Sequence, residues 1–552
     1  GGTMDTKKAI ASLGVPLPRY IKRFALPIVV FGFLLSGLLY VLFPKLFLGP
    51  AQYVLIVLPV TCIAFVIMYP FSVAAGKANE IDSNMHYYVT QLGALSLAQT
   101  SRKELFNILA HDQNYHLLRE ESQKIFLLMD TWNLSLADAC RFIAARTPSI
   151  IFADFLDRLA HAVQSGEPIE RFLESEQDVV MSDYDTMYRG AITTVDIVKE
   201  MFVSLVMSLI FLASFSAIMP IITGMNATNL MLISVFAFVM TDIAVIFFIR
   251  SKVPKDKIWQ QLNIESAAKR NLKRSVTISL AGCLVVALLT RFITAPGVIK
   301  AALVLTPLLY TGRIAGKEEA RIKRKDNNYP SFVRSLGSSA GARGGMVIEA
   351  LKSLRAHDFG PLTTDINHLY SRLLSRIDKL ISWDFFAVET GSNLIHRFST
   401  MFVESTHLGA KAEIVGDMIA TNIHHIILLR KLRYQSASTM VGVFYGLTAG
   451  IGFTLYISLG VVELMQGMFE SVEMPPGMSI GMILYTDINI GALYTLVTII
   501  IISHSLLSAV MIRLVDGGNL LNGTTHFVLM VWIGAISAVV CKSAVTSLLG
   551  IG

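Results

Sequence analysis

The sequence predicts an all-α, polytopic membrane protein with about nine transmembrane helices and two duplicated cytoplasmic helical bundles. Its 552 residues are 53% hydrophobic and only 16% charged, and the mean hydropathy is +0.57, far above that of a typical soluble domain. The apolar runs reach about 20 residues, the length that a helix needs to cross the hydrocarbon. Two polar segments between these runs have helical periodicity, as in Phe152, Phe155, Leu156 and Leu159 of the first.

Nine apolar runs are predicted to span the membrane. They lie near 24–43, 51–71, 200–222, 229–249, 275–293, 296–311, 438–462, 489–511 and 524–549. The sixth, PGVIKAALVLTPLLYTG, is short and carries Lys300. If this run failed to cross, everything after it would change sides.

The spans divide the chain into predicted segments. These are a basic N-terminal tail (1–23), spans one and two (24–71), a first cytoplasmic bundle (72–199), spans three and four (200–249), a basic linker (250–274), spans five and six (275–311), a second cytoplasmic bundle (312–437) and spans seven to nine (438–552). The stretch RSKVPKDKIWQQLNIESAAKRNLKRS holds eight Lys or Arg against two acids. The positive-inside rule therefore predicts a multi-pass protein of the cell membrane whose N-terminus lies in the cytoplasm. Because nine is an odd number of crossings, nine spans place the C-terminus outside.

The two polar segments repeat one plan. Leu92-Gly93 corresponds to Leu336-Gly337, and TPSIIFADFLDRLAHAVQSGEPIERFL corresponds to TGSNLIHRFSTMFVESTHLGAKAEIVGDMI. Residues 72–198 hold 10 Lys or Arg against 18 Asp or Glu, a net charge of −8, whereas 312–437 hold 18 against 12, a net charge of +6. Opposite charges favour docking of the bundles on each other or on a partner with complementary surfaces.

Residue patterns in both segments resemble a known family. The second segment opens with an F-x-R-x-L…G…E-A-L pattern at Phe332, Arg334, Leu336, Gly341 and Glu349-Ala350-Leu351, and the first has T-P-S…F…S-G-E within Thr147–Glu167. With flanking spans, they resemble the type II secretion system F domain of inner-membrane platform proteins of type IV pili and related machines. Two such domains and about nine spans are most similar to the family of archaellum membrane platform proteins. The first copy departs from the opening pattern at Tyr88, Thr90 and Ala94.

The resemblance implies a platform rather than an enzyme. It implies docking of a hexameric secretion ATPase, and coupling of ATP hydrolysis to the addition of pilin-like subunits to a filament and, in the archaellum, to rotation. It also implies a homodimer in the lipid membrane, and we expect neither a cofactor nor a nucleic-acid partner. Two alternatives stay open: the platform of an archaeal adhesion pilus or type II secretion-like system, and a secondary transporter, because transporters often have duplicated membrane halves.

Basic residues of the second bundle are predicted to bind the ATPase. They are Arg321, Lys323, Arg324, Lys325, Arg334, Arg343, Lys352 and Arg355. For the four residues beside the sixth span, the alternative is contact with anionic lipid under the positive-inside rule. For the other four, the alternative is plain solvated charge.

Two features within the spans are candidates for packing or function. Gly442, Gly446 and Gly450 repeat at every fourth position, which lets helices approach closely, either within the chain, as we favour, or at a dimer seam. Asp242 lies in the middle of a span, where a carboxylate is costly unless it is paired, protonated or functional. Its candidate partners are Arg291, His504 and Lys542, and a proton or ion path is the alternative to a structural pair.

Catalytic, cofactor and metal sites are not predicted. The sequence lacks G-x-x-x-x-G-K-[ST], H-E-x-x-H and C-x-x-C motifs. One G-x-S-x-G string, around Ser479, follows two prolines in a loop rather than a strand, so we interpret it as a turn.

Overall fold

The computed structural model describes residues 17–42, 52–98, 100–223, 226–262, 264–471 and 489–548. Ser479 and the loop around it lie outside these residues. Short helical turns at Leu17–Tyr20 and Ile21–Ala25 precede the first long helix. The α-helices are α1 Leu26–Leu42, α2 Gln52–Ser96, α3 Arg102–His111, α4 Leu117–Asp130, α5 Leu136–Ala144, α6 Ile150–Gln164, α7 Ile169–Thr223, α8 Ala227–Lys252, α9 Ala267–Leu289, α10 Gly297–Leu305, α11 Leu308–Gly341, α12 Val347–Leu354, α13 Thr363–Leu374, α14 Lys379–Thr390, α15 Asn393–His407, α16 Ala412–Ser471, α17 Ile490–Asp516 and α18 Gly523–Leu548.

The prediction of an all-α, polytopic membrane protein is confirmed. Across the described ranges, β pairing is confined to an isolated bridge between Trp259 and Ser392. In that same part of the chain, six helices are long and apolar enough to cross a membrane, and a bent helix pair makes a seventh. The predicted spans at 24–43 and 51–71 border residues outside the described part, so the number nine stays a prediction.

The sixth predicted span is a bent pair. Helices α10 and α11 meet at an angle of 44°. Pro307 stands at the break, where its missing N–H removes a helical hydrogen bond and its ring obstructs the preceding turn. Trp532 of α18 donates its indole N–H to the Thr306 hydroxyl at 3.0 Å, which fixes the bend against the last helix.

One compact unit consists of Gly1–Tyr184 and Met401–Met418. Its short helices α3, α5 and α6 each begin at a serine whose hydroxyl accepts a backbone N–H three residues on, an N-cap that satisfies an otherwise unpaired donor. Phe152, Phe155, Leu156 and Leu159 are fully buried, as their helical spacing predicts. Gln91 donates to Glu404 at 2.8 Å, so the second polar segment contributes a helix to this unit.

The other compact unit consists of Asp185–Thr400 and Ile419–Gly552. Its apolar core includes the ring of Phe202 from α7, whose centroid lies 5.2 Å from that of Phe444 from α16. Nearer the polar segments, the Ser436 hydroxyl of α16 donates to Asp196 of α7 at 2.8 Å. The two longest helices of the protein are therefore joined by apolar and polar contacts.

Equivalent helices occur in the same order in both copies, from α2 to α8 and from α11 to α17. An Asp–Ser hydrogen bond marks the equivalence. Ser149, the N-cap of α6, donates to Asp82 of α2, and Ser392, which caps α15, donates to Asp326 of α11. The two aspartates are 244 positions apart and the two serines 243. Burial raises the pKa of Asp82 to about 6, and the Ser149 hydroxyl offsets part of that rise.

The close helix packing predicted for Gly442, Gly446 and Gly450 is found at other glycines. Nothing in the described chain lies within 4 Å of the point where a Cβ would stand at these three positions. A Cβ at Gly452, in contrast, would lie 2.4 Å from the carbonyl oxygen of Gly534 in α18. Small residues let α16 and α18 approach there, whereas the predicted stripe faces outward from the chain's own helices.

This difference predicts that Gly452→Leu destabilises the protein and Gly446→Leu does not. The leucine at 452 would overlap the α18 backbone, a misfit that costs about 1–3 kcal/mol or more. Thermal unfolding of the detergent-purified protein should show a lower Tm for Gly452→Leu and a wild-type Tm for Gly446→Leu. Equal loss of stability in both variants would contradict the assignment of the contact to Gly452.

Candidate functional site

Six of the basic side chains predicted to bind a partner lie on the surface along α11, the turn that follows it, and α12. Arg321, Arg324, Arg334, Arg343, Lys352 and Arg355 are exposed. Gly344 and Gly345 form the turn with φ of +64° and +89°, a left-handed backbone that favours glycine. Helix α11 ends and α12 begins within a few residues, so Arg343 and Lys352 lie on either side of one tight turn.

Two predicted docking residues are placed differently. Lys325 is 1% exposed, and its ammonium lies 2.7 Å from Asp365 and donates to the Glu389 carbonyl oxygen at 3.0 Å. The ammonium of Lys323 lies 3.3 Å from both Glu319 and Asp516, and 3.6 Å from the centre of the Tyr434 ring. Buried charges need such partners, so Lys325 stabilises the interior instead of presenting its charge outward, and the partly exposed Lys323 is held by neighbouring carboxylates.

An exposed apolar surface lies at the turn between α13 and α14. We call it the apolar corner; its members are Leu374, Ile377, Leu380, Ile381 and Phe385, with exposed fractions of 61%, 44%, 46%, 50% and 41%. The cations Arg376 and Lys379 are exposed between them. The equivalent turn of the first copy, between α4 and α5, exposes Trp132 by 69% and has Leu127 nearby. Clustered exposed apolar side chains of this kind are typical of interaction surfaces.

Asp242 is paired inside the membrane region. The Nδ1 of His504 in α17 lies 3.1 Å from the Asp242 carboxylate in α8, and both side chains are inaccessible to solvent. The other ring nitrogen of His504 lies 3.4 Å from the Ser508 hydroxyl. Phe202 stacks on the imidazole, with ring centroids 5.9 Å apart. Of the three predicted partners, the structure selects His504.

The other two candidate partners of Asp242 are elsewhere. Lys542 lies 3.4 Å from Glu463 and 4.6 Å from the centre of the Tyr494 ring. The Tyr494 hydroxyl donates to the same Glu463 at 2.8 Å. Arg291 is exposed beyond the end of α9.

Comparison with known proteins extends over almost the whole chain. The family described as "Type II secretion system (T2SS), protein F" matches residues 88–217, from α2 of the first copy into α7. Flagella accessory protein J of Methanocaldococcus jannaschii is 35% identical over 545 residues, which cover 96% of each chain. Flagella accessory protein J of Methanococcus voltae is 34% identical over 549 residues, 97% of this chain and 98% of the relative. The chain belongs to the flagella accessory protein J family. No solved structure matches it.

Membership of the flagella accessory protein J family confirms the resemblance to the archaellum platform and type II secretion F proteins. Together with the apolar helices of the described residues, it makes the protein a multi-pass membrane component of that machinery.

Sequence reasoning missed one prominent feature of this family member, a set of buried charges where the middle of α16 meets the C-terminal end of α17. Arg430 and Arg433 are each 3% exposed. Ile426, Arg430, Arg433 and Ala437 follow helical spacing on one buried face. Two arginines within an otherwise apolar face were therefore a signal that their charges are paired inside the protein.

The Asp242–His504 pair predicts non-additive effects on stability. Asp242→Leu should lower the Tm of the detergent-purified protein strongly, because His504 loses its buried partner, and removing one member of a buried pair costs about 3–5 kcal/mol. The double variant Asp242→Leu/His504→Leu should recover part of that loss, because neither polar group then remains unpaired. Additive losses in the two single variants and the double variant would contradict an energetic pair.

Proposed function

We propose that the protein is the membrane platform of an archaellum-type filament machine. It docks a hexameric cytoplasmic secretion ATPase and couples ATP hydrolysis to the insertion of pilin-like subunits, with rotation of the filament as a further output. The observation that carries this proposal is the full-length similarity to the two flagella accessory proteins J. The protein is in this view a mechanical adaptor and not an enzyme.

The proposed arrangement in the membrane follows the charge distribution. The tail, the linker 250–274 and both bundles, 72–199 and 312–437, face the cytoplasm, and the C-terminus faces outward. Support comes from the long helices, since α7 and α16 each join a polar bundle segment to an apolar span without a break. A force applied to a bundle therefore acts directly on a membrane helix.

The proposed ATPase contact combines charge with an apolar anchor. The exposed cations Arg334, Arg343, Lys352 and Arg355 supply a positive field that would steer and orient an acidic partner surface. The apolar corner supplies the desolvated contacts that dominate most protein interfaces. Arg321 and Arg324, nearer the membrane, are shared between this contact and anionic lipid.

A homodimer is part of the proposal. Helix α16 presents Gly442, Gly446 and Gly450 away from the chain's own described atoms, which leaves this stripe open to a neighbouring helix. A platform for an adhesion pilus or a secretion system would use the same surfaces. Deletion of the gene separates these roles, because loss of swimming indicates the motility filament and loss of attachment indicates the pilus.

A secondary transporter is the second candidate, and the buried Asp242–His504 pair is the observation that favours it. Flux measurements in vesicles decide between the two. A platform moves no solute in that assay, whereas a transporter accumulates one and loses this ability in Asp242→Asn.

We predict that reversal of Arg334, Arg343 and Arg355 to Glu weakens ATPase docking by about tenfold or more, because the attraction becomes repulsion. The measurement is co-purification of the detergent-solubilised protein with its cognate ATPase at low and moderate salt. Lys431→Glu on α16 serves as the control for a reversed exposed charge. Unchanged co-purification of the triple variant, with the control also unchanged, would remove these arginines from the docking surface.

We predict separately that Leu374→Asp/Ile381→Asp weakens docking at every salt concentration, because an apolar contact is less sensitive to screening than an ionic one. Leu428→Asp is the matched control, since Leu428 is an apolar residue of α16 with 43% exposure. Salt-dependent loss in this variant would indicate an indirect effect on the charged surface. Full docking would show that the apolar corner faces something other than the ATPase.

A further inference from the structure

A buried ionic cluster joins the second bundle to the linker. The side chain of Arg430 in α16 is 4% exposed, and its guanidinium donates to both carboxylate oxygens of Asp256, at 2.6 and 2.7 Å. A further N–H donates to Asp326 of α11 at 2.9 Å. Burial disfavours the charged guanidinium, yet the carboxylates of Asp256 and Asp326 hold the pKa of Arg430 well above its usual value. The guanidinium of Arg430 thus joins the linker and α11 to α16.

One turn further along α16, Arg433 extends the cluster to α17. Its guanidinium donates to the Leu514 carbonyl oxygen at 3.0 Å, to the Val515 carbonyl oxygen, and to the Asp256 carbonyl oxygen at 3.1 Å. The Leu514 and Val515 carbonyls belong to the last turn of α17, where backbone carbonyls lack partners within their own helix. Gly517 ends that helix with φ of +80°, and a Cβ there would lie 2.5 Å from the Arg433 guanidinium carbon. The arginine therefore covers the end of α17 at van der Waals contact.

A second group of charges joins the same helices. Arg513 of α17 donates to Glu319 of α11 at 2.5 Å and to Asp516 at 2.7 Å. Lys323 completes the group by its contacts with Glu319 and Asp516. Separating α11 from α17 would expose or isolate several charges together, so this region resists opening.

In the described part of the first copy, four of these charges have no charged counterpart. It keeps the Asp–Ser hydrogen bond at Asp82 and Ser149, but neutral residues take the four positions. They are Met187 and Gly190 for Arg430 and Arg433, and Ala75 and Asn79 for Glu319 and Lys323. The shared hydrogen bond belongs to the repeated scaffold, whereas the ionic cluster belongs to the second copy.

From this asymmetry we infer that the cluster of Arg430, Arg433, Asp256 and Asp326, together with the second group of charges, forms a coupling joint, which makes the second bundle, the linker and α17 move as one body. The inference rests on the proposed function, because the joint is the route by which a force on the second bundle reaches the membrane helices. The arginines are positioning residues in this scheme and touch no substrate. The described residues of the first copy carry no such joint.

The test removes the connection to α17 while the bundle stays intact. In Arg433→Gln, amide hydrogen exchange at 511–516 should accelerate by about tenfold or more, because the terminal carbonyls of α17 lose their donors. Exchange in α15 should stay at its wild-type rate, co-purification with the ATPase should be unchanged, and swimming of a host that depends on the variant should be lost. Arg189→Gln is the control; it removes an arginine of α7 whose side chain is 55% exposed.

Two outcomes overturn the joint. Exchange at 511–516 that stays at the wild-type rate shows that Arg433 does not hold α17, and faster exchange with normal swimming shows that the connection is not used. Because amide hydrogen exchange is measured without the ATPase, it tests the coupling joint independently of docking. A wild-type protein that never binds the ATPase contradicts the proposed function instead.

A milder variant covers the possibility that Arg433→Gln does not fold. Lys323→Met removes a charge that is 27% exposed, and Arg513 still neutralises Asp516. It should accelerate exchange at 511–516 by a smaller factor and reduce swimming in proportion. Wild-type exchange and swimming in Lys323→Met would contradict a joint that includes the second group of charges.

Discussion

A backbone that enters lipid has to keep its hydrogen bonds within the protein, and α7 and α16 meet this constraint by continuing as single helices of 55 and 60 residues from polar bundle to apolar span. A loop at the membrane boundary would have been the simpler way to attach a cytoplasmic domain. An unbroken helix leaves no flexible loop at this boundary. Each polar segment consequently ends in a helix that continues into an apolar run, and in the first copy α6 packs on the polar part of α7 through Phe155 and Phe172.

The sequence was sufficient for features that depend on local spacing and insufficient for those that depend on distant partners. Long apolar runs predict the membrane helices, and the periodicity of Phe152 to Leu159 predicts a buried face that the structure contains. Lys325 shows the limit. Its spacing from Ile322 and Tyr329 already puts it on the buried face of α11. Its partner Asp365, however, is 40 positions away, and no local sequence pattern predicts that pair.

Glycine spacing and surface exposure are limited in a similar way. A repeat at every fourth residue indicates that a helix has a face of small residues, yet it does not say which helix lies against that face. The structure puts the close approach at Gly452 and Gly534 instead. The apolar corner was not predicted, because a leucine or isoleucine near a turn has the same sequence pattern whether it is buried or exposed. Both features depend on the packing of helices far apart in the chain.

The position of Arg430 and Arg433 along α16 has a mechanical consequence. The helix starts at Ala412, and the predicted membrane boundary is near residue 438, so about 40 Å of helix projects beyond it at about 1.5 Å per residue. The two arginines lie within roughly 12 Å of that boundary by the same measure. A tilt of about 5° about the boundary would displace the distal end of a straight helix by about 3 Å, and the arginines by about 1 Å or less. Hydrogen bonds tolerate the smaller displacement. Helix α16 can therefore tilt so that its distal end moves while the ionic contacts of Arg430 and Arg433, close to the pivot, stay formed.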